Sequence, residues 1–190
     1  MLSVAQKHPT FVVPVPHVSD IDTPEAQSAE QQKTFEFYFM QWAFYEAPPV
    51  PVPGQTGGFP FTDPAPAPSA PPPTAPNPRT ATILFTPLLE YKLRQTFATP
   101  YLILTFYPDL ASSHDVVLMR GEITPRANST PDEADFLLSQ QDAQLLALAV
   151  QKFFLWTGGA DGKEREALLK TFHEQPENFK WEDLLKHAGL

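Results

Sequence analysis

TFEFYFMQWAFYE, residues 34–46, decides how this chain folds. Its aromatic and β-branched content reads as a strand, although Phe35, Phe39 and Trp42 also recur at helical spacing. A strand on a globular surface alternates apolar and polar residues. Here both alternating sets are apolar: Phe35, Phe37 and Phe39 point one way, and Tyr38, Met40, Trp42 and Phe44 the other. Burying one aromatic side chain stabilises by roughly 1.5–3 kcal/mol. Each face therefore needs a cover, from helices of the same chain or from another molecule.

Further strands flank this one. TFVVPVPHV, residues 10–18, is apolar but carries Pro14 and Pro16, which cannot donate to a ladder, so it reads as an edge strand or extended strap. Residues 79–86 and 101–107 read as strands, and 116–124 as the antiparallel return of the latter, with Gly121 as a candidate bulge. Between them, 88–97 alternates Leu89, Tyr91, Leu93 and Phe97 with Glu90, Lys92, Arg94 and Thr96, which reads as a half-buried strand. The alternative is a short helix capped by Thr86, with Pro87 at its first position, burying Leu89, Leu93 and Phe97.

Helices close the chain. FLLS, residues 136–139, reads as a short strand leading into a helix with Ser139 as N-cap and Asp142 as its capping partner. That helix carries Leu145, Leu146, Val150, Phe153, Phe154 and Trp156, is apolar over more than half its circumference, and stops at Gly158 and Gly159. Two amphipathic helices follow, over 163–174 and 179–188. Strands first and helices last predict an α+β fold: an antiparallel β-sheet, a long apolar helix packed on one face, and two short C-terminal helices. The expected organisation is a strap and polar loop over 1–33, one α+β domain over 34–157, and a helical hairpin over 158–190. Residues 47–78 interrupt the domain with 13 of the 23 prolines, too poor in core-forming residues to fold, and their two PxxP spacings lack a flanking basic pattern.

Composition narrows function. The 190 residues carry a formal charge of −9, and charged residues are 18% against about 25% typically. No cysteine is present, which removes disulfides, thiolate metal sites and cysteine nucleophiles and fits a reducing compartment. The amino terminus lacks a signal-peptide pattern, and the longest aliphatic run, Leu145 to Val150, is far too short to span a bilayer. A soluble, cytoplasmic protein without membrane association is expected. His8, His17, His114, His173 and His187 show no metal-ligand spacing, and GGADG, residues 158–162, reads as an interhelical turn rather than a phosphate loop. His114-Asp115 beside Ser112 and Ser113 reads as a solvated turn, and Asp132, Glu133 and Asp135 as a solvated acidic lead-in. No catalytic residue, metal or cofactor is expected, and the protein is read as a non-enzyme.

The segment DFLLSQQDAQLLALAVQKFFLW, residues 135–156, following several antiparallel strands, resembles the PC4-like and Whirly single-stranded DNA-binding proteins in element order. The resemblance implies a homodimer whose sheet binds single-stranded nucleic acid. Residues 79–126 are the one region that is not acidic, with a net charge of +1. Basic groups beside aromatics suit such a ligand, each stacked base being worth about 1–3 kcal/mol. The nucleic-acid-binding candidates are Tyr38, Trp42, Tyr101 and Tyr107 for stacking and Arg79, Lys92, Arg94 and Arg120 for phosphates. The alternative function is a protein–protein assembly or adaptor module with an exposed aromatic sheet face and a proline-rich spacer, which the acidic charge favours.

Overall fold

The computed structural model describes residues 1–17, 34–47, 79–127, 135–155 and 159–188. The expected polar loop, most of the proline-rich insertion with its PxxP spacings, Asp132, Glu133, Trp156 and Gly158 lie outside the described residues.

The fold is α+β, built on a five-stranded antiparallel sheet in the order β1-β2-β3-β4-β5: β1 (Thr10–His17), β2 (Thr34–Phe44), β3 (Ala81–Pro87), β4 (Leu102–Tyr107) and β5 (Leu118–Ile123). Register assigns every side chain to a face. Phe11 lies opposite Met40, Met40 opposite Phe85, and Phe85 opposite Leu102, so these share one face with Tyr38, Trp42, Ile83, Leu104 and Phe106. That face is the core, and those residues are buried.

Its cover is α4 (Gln140–Phe154), which presses Leu146, Ala149, Val150, Phe153 and Phe154 onto the sheet. Ser139 caps it as the spacing predicts: Oγ accepts from the Asp142 amide at 3.0 Å and donates to Asp142 Oδ2 at 2.7 Å. α5 (Ala160–Glu174) packs on α4, and α6 (Trp181–Ala188) packs on α5 and β1, the two tied together by Arg165 Nε donating to the His187 carbonyl at 3.2 Å. Phe11 of β1 joins the layers, its ring meeting Phe153 at 4.9 Å and Phe172 of α5 at 5.3 Å.

Several local expectations change. Leu88–Arg94 is a helix, α2, continued by a 3₁₀ turn over Gln95–Phe97, not a strand. Pro87 precedes its first turn, Glu90 sits near the positive end, and Lys92 and Arg94 sit in the last turn, so charge and backbone both favour the helix. Phe136 forms a single bridge to Pro125 rather than a strand. Gly121 is no bulge: it pairs one-to-one with Leu104, and a Cβ there would meet Leu104 Cδ2 at 3.3 Å. The helix after GGADG starts at Ala160, inside that glycine run. Two short helices escaped the sequence reading, α1 (Leu2–Lys7) and α3 (Ala111–His114), because one turn or so shows too little periodicity.

Candidate functional site

The candidate stacking residues separate. Tyr38 is 1% exposed and Trp42 7%, both on the covered face. Trp42 sits between Phe106 and Phe154, each 5.4 Å away, so neither ring can stack on a base. The Tyr38 hydroxyl donates to Glu36 Oε2 at 2.8 Å, and burial together with that bond pushes its pKa up, so it stays neutral. Tyr101 packs edge-on to Tyr38 at 6.3 Å and is half-buried; burial and then the Glu90 charge raise its pKa. Tyr107 is half-buried on the opposite face.

The basic candidates do not converge on a groove. Arg120 of β5 is held by Glu122 at 2.6 Å, and Arg94 of α2 contacts Glu90 at 3.5 Å. Arg79 stands exposed ahead of β3, and Lys92 is exposed on α2. Ser113 Oγ lies 2.7 Å from His114 Nδ1, but both stand in solvent on the single turn of α3. Among the described residues, no group of three or more His, Asp or Glu could hold a metal, and no helix is long and apolar enough to cross a membrane.

The second face of the sheet is the informative one. Phe35, Phe37 and Phe39 are half-buried there, and Leu84, Ile103 and Tyr107 continue the face across β3 and β4. The chain covers it in part: Tyr91 of α2 lies 4.3 Å from Phe39, and Trp181 of α6 meets Phe37 edge-on at 6.5 Å. With Tyr91 turned to the sheet, α2 presents its other side to solvent. That side carries Leu89 and Leu93 in positions i and i+4, exposed by 72% and 77%, and Phe97 follows on the 3₁₀ turn beyond the helix end, exposed by 87%. The sequence reading found this spacing but expected the three to be buried; they are among the most exposed large apolar side chains described. Single exposed leucines are ordinary; the Leu89–Leu93 pair with Phe97 beyond it, beside a half-open aromatic face, makes this the candidate interaction surface.

The ATP11 protein family model matches residues 1–185. The chain belongs to the ATP11 family. Its relatives include "Protein atp11, mitochondrial" of Schizosaccharomyces pombe, 31% identical over 173 residues, which are 90% of this chain and 42% of the relative. They also include the human "ATP synthase mitochondrial F1 complex assembly factor 1", 33% identical over 109 residues, which are 56% of this chain and 29% of the relative. The mouse assembly factor matches to the same extent. The chain thus spans less than half the length of these curated relatives.

Family membership corrects the resemblance, the nucleic-acid function with its partner, and the cellular placement. The likeness to PC4-like and Whirly proteins is one of element order and does not reflect kinship. Single-stranded nucleic acid, as function and as partner, is overturned by the family match, whose human and mouse relatives are named as assembly factors. The burial of Tyr38 and Trp42 removes two of the proposed stacking platforms. The cytoplasmic placement is overturned by relatives named as mitochondrial. The assembly-module alternative is the reading that these findings favour.

Proposed function

We propose that this chain is a non-catalytic assembly factor that binds an unassembled subunit of the F1 ATP synthase through the stripe of α2 and the half-open sheet face beside it. The exposure of Leu89, Leu93 and Phe97 carries this reading. A factor that holds a subunit before its neighbours arrive must offer apolar surface in place of the missing contacts. It must also release that surface later, which suits a patch smaller than an obligate interface. The exposed cations Lys92 and Arg94 rim the stripe and favour a subunit surface with acidic groups at its margin. The family names support the class of partner.

Purified chain mixed with individually produced F1 subunits tests the reading. A one-to-one complex with a free subunit, absent with the assembled F1 complex, is expected. Binding of no subunit at micromolar concentrations would refute it.

A further inference from the structure

The two edges of the sheet are treated differently. β1 carries Pro14 and Pro16, and α4 and α6 pack against it. Proline on an edge strand blocks pairing with a further chain. β5, the opposite edge, reads LMRGEI, without proline or lysine, and among the described residues pairs only with β4. Its charges, Arg120 and Glu122, neutralise each other and lie on the face away from α4. Val116, Val117, Leu118 and Met119 stand exposed. Among the described residues, no strand pairs with its outer edge.

A cavity of about 580 Å³ lies beside this edge, on the α4 side of the sheet. Leu2, Phe106, Val117, Met119, Val150 and Leu155 line it, and Ser3 and Gln151 are its polar lining. Its position follows from register. Met119 lies opposite Phe106 and so faces the side that α4 covers, yet it remains exposed at the margin of that cover. A strand added beside β5 would run about 4.8 Å further out, with alternate side chains on each face. Its inward side chains would stand next to Met119, at the mouth of the cavity.

We propose that β5 accepts an extended apolar segment of the client protein as an added strand, with one large apolar side chain of that segment filling the cavity between β5, α1 and α4. This rests on the assembly-factor reading and gives it a mode of recognition. Main-chain hydrogen bonds along β5 supply affinity for any extended segment, and the cavity supplies the preference for a bulky apolar residue. An unassembled subunit offers such segments where its own neighbours have yet to cover them.

Overlapping synthetic peptides spanning the F1 subunit sequences test the proposal. A binding peptide is expected to slow amide exchange over residues 118–123. Met119→Asp is expected to weaken that peptide by about tenfold or more. Val117→Asp, ahead of the strand, serves as a second variant, with thermal melts checking that both fold. N-methylation of alternate peptide amides is expected to abolish binding, since it removes ladder donors and leaves the side chains in place. Equal binding by the N-methylated peptides, or protection confined to residues 88–97, would overturn the strand-addition proposal. So would protection of 118–123 that grows with protein concentration in the absence of peptide, which would assign the edge to a second copy. Whole F1 subunits that bind the Met119→Asp chain as well as the natural one would sink this inference and leave the assembly reading standing. Failure of both subunits and peptides to bind would sink both.

Discussion

Replacing Leu93 by glutamine is the sharpest perturbation of the α2 surface. Glutamine keeps nearly the helix propensity of leucine, so α2 should persist. Leu93 is 77% exposed in the free chain, so little of its burial supports the fold. A fully buried leucine contributes roughly 1.5–3 kcal/mol. About three quarters of that remains to be gained on docking, or about 1–2 kcal/mol, which corresponds to about a five- to thirtyfold change in Kd. Stability should move by no more than about 0.5 kcal/mol. In a domain of this size that shifts Tm by about 1–2 °C. Leu89→Gln and Phe97→Gln should behave alike. The triple variant should lose less than the sum of the three, because neighbours in one interface couple. Fluorescence anisotropy with a labelled F1 subunit, beside a thermal melt, reads both quantities. An unchanged Kd would remove the stripe from the interface. A fall in Tm of more than about 5 °C would show that Leu93 serves the core, reversing the reasoning.

Phe153→Ala removes a wholly buried ring packed on Phe11 and should cost about 3–5 kcal/mol in chemical denaturation; a loss below about 1 kcal/mol would mean that α4 does not seal the sheet. Ser139→Ala deletes the oxygen that accepts the Asp142 amide and should cost about 0.5–2 kcal/mol, read as a lower denaturation midpoint with unchanged slope. The His8 pKa is depressed by burial and then by His173, with Lys170 and Lys7 acting in the same sense and Glu174 opposing them. Its neutral form is therefore favoured in the fold. Stability should hold above pH 6.5, decline as pH falls below that value, and level off below the folded pKa. His8→Gln should flatten that decline, and a variant with the same pH profile as the natural chain would exclude His8 as its source.

The sheet and its long helix were legible because local chemistry and period agreed there. The aromatics of β2, the prolines of β1 and the Ser139 cap each admit few conformations. The misreading of 88–97 has a specific cause. Periodicity reports where apolar residues recur and then assumes that they are buried, and on α2 the apolar stripe faces solvent. The same assumption made Tyr38 and Trp42 look available, since alternation along a strand cannot say which face a helix will cover.

By itself, then, the sequence determined the α+β class on an antiparallel sheet, the Ser139-capped helix and the absence of thiols, all of which follow from residue types and short spacings. Only the tertiary structure decided which aromatic face α4 seals, that Tyr91 turns inward and leaves Leu89, Leu93 and Phe97 outside, and that among the described residues no strand pairs with the outer edge of β5, beside an apolar cavity. Those outcomes depend on contacts between segments far apart in the chain, and an apolar side chain carries the same local signal whether its cover comes from its own chain or from a partner.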